Sequence, residues 1–480
     1  MTVQELMQQS GVKFGTSGAR GLAVAMTDGV CHAYTTGFLR YLEEIGELKQ
    51  AGESVALAGD LRPSTGRIMA AVAQAVRDAG YVPVNGGRVP SPAVALWGLE
   101  QGVPAIMVTG SHIPADRNGI KFNKCSGEIL KSDEAGMMGQ EVAYTEEVLV
   151  GPLPKENMTL GERYVARYTS LFLGDCLKGL RVGVYQHSAV IRGMLVELLE
   201  GLGATVVPLG FSDSFVPVDT EAIRPEDVAL AAGWSREHEL DCIVSTDGDS
   251  DRPLISDERG VWLRGDVAGI LVARYLNASS VHTPVSCNTA VEGCGWFEQV
   301  YRTRIGSPYV VASMQAADAQ GERGIVGYEA NGGFLTQSAF PLLGATLSAL
   351  PTRDAVLPML AVMLLAKERG EPISACVEAL PQRFTASDRI QDFPTEESGK
   401  ILGRLIDEAA VEEAFGSLFG SVKTMDRTDG LRVTFDSDEV LHLRPSGNAP
   451  EFRCYNEAAS VGRVEEMQRL SMEQLLAMKG

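Results

Sequence analysis

The fifteen residues Val108–Phe122, VTGSHIPADRNGIKF, decide how the chain is read. The apolar run Ala105-Ile106-Met107-Val108 before them reads as a short buried strand. It empties into Thr109-Gly110-Ser111-His112, where small residues let the backbone turn tightly and present the Ser111 hydroxyl at the strand's end. Asn118-Gly119 reads as a turn, and Lys121 beyond it is a candidate proton-transfer group. One loop would then deliver a nucleophile and a base, as group transfer requires. The same residues also read as an ordinary polar loop, because a lone serine motif carries little between families.

Outward from this loop the chain repeats one grammar. Ser54–Asp60 reads as a strand, Ser64–Ala79 as a helix with Ser64 as a candidate cap, and Tyr81–Val84 as a strand. Gly29–Leu48 reads as an earlier helix. The unit recurs as strand Arg181–Tyr185, helix Ala189–Leu202 and strand Ala204–Leu209, and more loosely from Thr283–Cys287. Strands alternating with helices point to parallel α/β sheets, and copies this far apart point to three related domains rather than a solenoid. From about Glu371 the pattern changes to alternating strands, Gln382–Ser387 and Leu431–Phe435, with helices near Lys400–Phe415 and Val464–Met478. The expected organisation is three related α/β domains (1–155, 156–260 and 261–370) followed by a smaller α+β domain (371–480).

Composition narrows the function. A net charge of −20 argues against nucleic acid as a partner, though a local Arg/Lys cluster can still hold a small anion. No apolar run is long enough to span a membrane, and the start, MTVQELMQQSGVKF, has no basic region ahead of an apolar core. The eight cysteines form no Cys-x-x-Cys pair, so zinc and redox motifs are unsupported. A cytoplasmic protein, monomeric or homodimeric, is expected.

Further loops carry chemistry. Lys13–Gly21, KFGTSGARG, offers backbone N–H groups to an anion. Asp247-Gly248-Asp249-Ser250-Asp251-Arg252 follows the strand Asp241–Thr246. Its three alternating carboxylates select a hard cation, and Arg252 is placed to hold a phosphate beside it. An EF-hand is disfavoured: Glu258 stands at the twelfth position, but Arg252 occupies the sixth, where glycine is required. A solvated acidic turn is the other reading. Gly324–Phe334 reads as a strand emptying into Glu329 and Asn331, a carboxylate and an amide suited to sugar hydroxyls. In the last domain, Arg444, Ser446, Gly447, Asn448 and Arg453 would form a phosphate cradle, or simply a Pro/Gly turn.

Taken in order, KFGTSGARG, VTGSHIPADRNGIKF, STDGDSDRP and RPSGNAPEFR resemble the α-D-phosphohexomutase family, with GYEANGG a looser fifth match. The resemblance spans nearly the whole chain, and it implies three related α/β domains with mixed sheets plus a smaller C-terminal α+β domain around a central cleft. It implies an isomerase that interconverts hexose 6-phosphate and hexose 1-phosphate through a phosphoserine and a bisphosphosugar, which also serves as activator. Ser111 would carry the phosphate. Asp247, Asp249, Asp251 and a phosphate oxygen on Ser111 would hold one Mg²⁺ per chain. Arg20, His112, Lys121 and Arg252 would line the transfer site, and Glu329 and Asn331 would bind sugar hydroxyls. Arg444, Ser446, Gly447 and Asn448, with Arg453, would grip the phosphate that is not being transferred.

The chain departs from the family's commonest patterns in three places. The nucleophile loop usually reads Thr-Ala-Ser-His-Asn-Pro, where this chain has Thr109-Gly110-Ser111-His112-Ile113-Pro114. Threonine usually stands at Asn448. The sugar loop of many phosphomannomutase/phosphoglucomutase members reads Glu-Met-Ser-Gly-His, against Glu329-Ala330-Asn331-Gly332-Gly333 here, and Glu-Ala-Asn-Gly also resembles acetylglucosamine-phosphate mutases. Mannose and glucose phosphates are the expected substrates. Phosphoglucosamine or N-acetylglucosamine phosphate is the alternative, with a serine/metal phosphatase or a non-catalytic phosphosugar-binding protein behind it.

Overall fold

A computed structural model describes residues 1–479 apart from Thr16, Leu173 and 447–449. The chain forms two compact units, Met1–Val281 with Ser307–Val377, and His282–Gly306 with Glu378–Gly480.

The first unit opens with a mixed sheet, not the parallel one that alternating strands and helices suggest, because Arg117–Lys124 returns directly alongside Ala105–Val108 without a crossover helix. Its strands lie in the order Lys13–Phe14, Ala19–Leu22, Arg117–Lys124, Ala105–Val108, Ser54–Gly59, Val82–Asn85. Ser54–Gly59 runs parallel to both Ala105–Val108 and Val82–Asn85, and Ala105–Val108 runs antiparallel to Arg117–Lys124. The central strands AIMV and SVALAG are buried almost throughout because helices cover the sheet, which is why they read as unbroken apolar runs rather than alternating ones. The second sheet is also mixed, in the order Pro253–Ile255, Cys242–Thr246, Arg181–His187, Thr205–Phe211. Strands Ile325–Tyr328, Phe334–Thr336 and Leu350–Asp354 pair antiparallel farther along the chain. Helix Ser91–Gln101 has Pro92 in its first turn and stops at Gly102 with φ 66°, a left-handed cap that suits glycine.

The second unit holds an antiparallel sheet in the order Phe384–Ile390, Phe452–Ala458, Val440–Pro445, Leu431–Phe435, Val422–Asp426. Helix Val461–Ala477 is capped by the Ser460 hydroxyl. Phe393, Phe415, Phe435, Leu443 and Phe452 form the unit's separate core.

Several local expectations shift. Asn118-Gly119 is no turn; both residues lie inside strand Arg117–Lys124, gripped by neighbours on either side. A Cβ on Gly119 would come within 2.7 Å of the Ala19 carbonyl and 2.8 Å of the Thr109 carbonyl, so glycine there serves strand packing. Ser64 precedes helix Thr65–Asp78 but makes no side-chain cap, because its hydroxyl accepts from Asn118 Nδ2 at 2.8 Å instead. The helix expected to run to Leu48 ends at Glu44, and the strand expected at Thr283–Cys287 runs from Ser280 to Pro284. The expected helix Lys400–Phe415 is broken into Thr395–Arg404, Glu408–Val411 and one wide turn, Glu412–Gly416.

Candidate active site

Ser111 follows strand Ala105–Val108 in a turn where its own φ is 56°, a left-handed value rarely taken by a residue with a side chain. The turn is overdetermined from below by Arg62, which is 1% exposed. Its guanidinium donates to four carbonyls of the loop: Ser111 (2.7 Å), Ile113 (2.6 Å), Pro114 (2.7 Å) and Arg117 (3.2 Å). Asp60 balances its charge through Nε at 3.0 Å and also accepts the Thr109 hydroxyl at 2.7 Å. Thr109 in turn accepts the Ser111 N–H at 2.7 Å. The ring of Phe215 covers the guanidinium at 4.0 Å. Gly110 is required here, since a Cβ would lie 2.7 Å from Arg62 Cζ.

So held, the Ser111 hydroxyl donates to Asp247 Oδ2 at 2.6 Å. Asp247, Asp249 and Asp251 are all buried, with one oxygen from each within 4.8 Å of the others. Ser91, at the start of helix Ser91–Gln101, fixes Asp249 twice: its hydroxyl reaches Oδ2 at 2.5 Å and its N–H donates to the backbone carbonyl at 2.9 Å. Asp249 Oδ1 and Asp251 Oδ1 are buried and have no hydrogen-bond partner among the described residues. Buried carboxylate oxygens are costly when unpaired, and three converging carboxylates with two such oxygens fit a hard divalent cation. The trio could bind a metal ion. Burial, then repulsion from Asp249 and Asp251, pushes the Asp247 carboxyl well up. Burial alone would raise Asp251 too, but Arg353, Lys121 and Arg252 outweigh it and hold its carboxyl below the usual range.

Cations surround the trio. Lys121 Nζ donates to Asp249 Oδ2 at 2.5 Å and to Asp251 Oδ2 at 2.6 Å. Arg252 lies beside Asp251 Oδ1 at 3.7 Å and donates through Nη1 to His112 Nδ1 at 3.0 Å. Burial, and then Arg252, pushes His112 down to about 3, so its imidazole is neutral and accepts at Nδ1. The same nitrogen lies 3.4 Å from the Ser111 hydroxyl. Arg20 stands on strand Ala19–Leu22 opposite Gly119, with no hydrogen bond or ion pair to its guanidinium among the described residues. Burial, then repulsion from Arg252 and Arg353, lowers it to about 10, still charged at neutral pH.

The sugar-loop candidates stand in the same unit. Glu329 is 4% exposed and has Arg353 Nη1 at 3.5 Å from Oε2. Asn331 Oδ1 accepts the Gly333 N–H at 2.9 Å, leaving the amide nitrogen to donate to a ligand. Gly332 has φ 88°, the left-handed value that closes the turn between them. In the other unit, Arg444 pairs with Asp429 at 2.9 Å and Arg453 with Glu451 at 3.3 Å. Arg389, Arg453 and Arg444 are direct cross-strand partners, a row of like charges offset by Glu451, which also lies 3.3 Å from Arg389, and by Asp429. Ser446 is buried, and its N–H donates to the Glu451 carbonyl at 2.9 Å. Gly447 and Asn448 lie outside the described residues.

Family models for phosphoglucomutase/phosphomannomutase α/β/α domains I, II and III match residues 11–147, 162–260 and 264–384. The chain belongs to the phosphoglucomutase/phosphomannomutase family. Like the other α-D-phosphohexomutases it is an isomerase, with three α/β/α domains and a further C-terminal domain. It is 43% identical over 462 residues to a phosphomannomutase of Sinorhizobium fredii, covering 95% of this chain and 97% of the relative. It is 44% identical over 461 residues to a phosphomannomutase of Salmonella muenchen, covering 95% and 94%. The crystal structure of a phosphoglucomutase/phosphomannomutase family protein from Burkholderia thailandensis superimposes with a TM-score of 0.74 at 19% identity, covering 100% of this chain and 98% of that one.

Sequence reasoning missed three contributors in this mutase: Arg62 with Asp60, Ser91, and Arg353. Asp60-Leu61-Arg62 sits at the carboxyl end of a central parallel strand, the end where α/β sheets place ligands, and that was the available signal. Arg353 gave a fainter one, an Arg-Asp pair just ahead of the apolar run Ala355–Leu357.

Proposed function

We propose that this phosphohexomutase is a phosphomannomutase, interconverting mannose 6-phosphate and mannose 1-phosphate, with glucose phosphates as further substrates. The observation that carries the chemistry is the buried Ser111 hydroxyl 2.6 Å from Asp247, among three carboxylates ringed by Lys121, Arg252 and Arg353. The two relatives named phosphomannomutase support the choice of sugar.

In this reading Ser111 carries the phosphate. The phosphoserine P–O bond breaks as a sugar hydroxyl attacks phosphorus, and Lys121 relays the proton, giving one to the departing Ser111 oxygen and taking one from the attacking hydroxyl, so that a hexose 1,6-bisphosphate and the Ser111 hydroxyl result. The bisphosphate turns end for end, the Ser111 oxygen attacks its other phosphoryl group, and the same relay carries the Ser111 proton to the sugar oxygen left behind. Arg20, Arg252 and His112 complement the transferring oxygens, since such a transition state needs charge stabilisation and in-line positioning. Mg²⁺ held by Asp247, Asp249, Asp251 and a phosphate oxygen on Ser111 would neutralise charge on the phosphoserine. Glu329 and Asn331 bind sugar hydroxyls. Arg444, Ser446, Gly447, Asn448 and Arg453 grip the stationary phosphate. The four-domain partition at 155, 260 and 370 belongs to this proposal. So does a cytoplasmic location, which the eight free cysteines favour.

The test is isomerisation of mannose, glucose, glucosamine and N-acetylglucosamine 1-phosphates with Mg²⁺ and trace hexose bisphosphate, with free phosphate followed alongside. Turnover of the mannose and glucose compounds without phosphate release supports the reading. Preference for the amino sugars moves the substrate, and phosphate release alone makes the protein a phosphatase.

A further inference from the structure

Arg353 lies on strand Leu350–Asp354 and is 2% exposed. Its guanidinium joins four segments of the first unit. Nε donates to Asp251 Oδ2 at 3.0 Å, Nη1 donates to Ser307 Oγ at 3.1 Å and faces Glu329 Oε2 at 3.5 Å, and Nη2 donates to Ser17 Oγ at 3.2 Å. The residues either side are pinned. Thr352 donates to Glu128 at 2.5 Å, and Asp354 accepts the hydroxyls of Tyr164 and Tyr168. The backbone therefore cannot carry the arginine away from these partners.

The stem of the same side chain explains a departure in the sugar loop. Gly333 stands where many family members have histidine, and its φ is not left-handed, so the backbone alone does not demand glycine. Space does. A Cβ built on Gly333 would lie 2.6 Å from Arg353 Cδ and 2.7 Å from Cγ, closer than real carbons approach. A side chain at 333 and the arginine at 353 exclude one another.

We propose that Gly333 and Arg353 work as a pair: Arg353 enters the sugar loop through the volume Gly333 leaves open, and acts as the positioning residue that orients Glu329 towards the sugar while tying it to the metal-loop residue Asp251. The proposal rests on the reading of Glu329 as a sugar ligand. Glu329 Oε1 makes no hydrogen bond among the described residues and faces substrate, while Oε2 is aimed by the arginine. The charge of Arg353 also offsets Asp251, so that one side chain serves both the sugar and the cation ends of the site.

Two double-mutant cycles on the full chain, read as kcat and KM for mannose 1-phosphate, test this. Glu329→Gln is expected to raise KM about tenfold. Arg353→Gln is expected to raise KM by a similar factor with a smaller change in kcat, and, because it removes a cation that competes for Asp251, to tighten Mn²⁺ binding followed by electron spin resonance without turnover. The double variant should be no worse than the poorer single one. Arg353→Lys should recover part of the loss. Gly333→Ala should cost about tenfold in KM beside Arg353 and nothing further beside Arg353→Ala. If Glu329→Gln leaves KM unchanged, the sugar-ligand reading itself falls. If Glu329→Gln raises KM but the Arg353 effect multiplies it independently, or Gly333→Ala costs the same in both backgrounds, the pairing is overturned. Arg353→Lys and Gly333→Ala keep a fixed charge and small volume change, so they decide the matter even if Arg353→Gln does not fold.

Discussion

Replacing Arg62 by methionine should disarm the enzyme without touching any group that meets substrate. The variant keeps the buried stem and loses hydrogen bonds to the carbonyls of Ser111, Ile113, Pro114 and Arg117, as well as the charge partner of Asp60. A hydrogen bond to a charged group is worth about 1.5–3 kcal/mol, and breaking one side of a buried ion pair costs about 3–5 kcal/mol. The terms overlap, so the loop should lose about 3–5 kcal/mol of local stability. Ser111 would then relax from its left-handed φ of 56° and leave the line to Asp247. A displacement of about 1 Å costs about 100-fold in rate, or about 2.7 kcal/mol of barrier. The assay pairs kcat with hydrogen exchange at the amides of Ser111 and Ile113, both hydrogen-bonded inside the loop. Adding Asp60→Asn should restore part of the stability by removing the stranded carboxylate, yet leave kcat low. If Arg62→Met keeps kcat within about threefold and exchange protection intact, the clasp is not what positions Ser111.

The remaining predictions concern space, metal and protons. Gly110→Ala should lower kcat although many relatives carry alanine there, because its Cβ would sit 2.7 Å from an arginine already locked by the loop; unchanged kinetics would refute the contact. Chelation should abolish turnover but leave the thermal unfolding midpoint nearly unmoved, since Lys121, Arg252 and Arg353 already offset the three carboxylates; collapse of the fold in chelator would contradict that balance. His442, 1% exposed, is pushed from 6.5 down to about 4 by burial, so the folded state binds fewer protons than the unfolded one. Its contribution is therefore complete above pH 6.5 and is lost as pH falls towards 4, by up to about 3 kcal/mol, with buried His187 acting in the same direction. Urea unfolding between pH 8 and 4.5 should show this slope, and His442→Gln should flatten it.

What the sequence disclosed was chemistry concentrated in short stretches. Ser111, Lys121 and the Asp247–Asp249–Asp251 trio were legible because each of two short stretches bundles reactive groups after a recognisable buried strand, and the structure brings the two together. The α/β grammar was equally legible, since strands buried on both faces and helices stopped by glycine leave strong local marks. Residues that work through tertiary contact left none. Arg62 acts on carbonyls 49–55 positions away, and Arg353 reaches Asp251 across 102 positions. Asn118-Gly119 misled for the converse reason: its turn-like pair is held extended by strands on both sides, which local propensity cannot register. Gly333 was noticed as a departure, but its cause is a side chain 20 positions later in the chain that only the folded loop brings against it.

The central claim is that Ser111 carries the phosphate of a hexose-phosphate mutase. Wild-type protein and Ser111→Ala should each be assayed with mannose 1-phosphate, Mg²⁺ and trace hexose bisphosphate, and their peptides examined by mass spectrometry. The account predicts phosphate on Ser111 in the wild type, and neither phosphopeptide nor mutase turnover in the variant. Full turnover by Ser111→Ala, or phosphate carried on another residue during turnover, would contradict it.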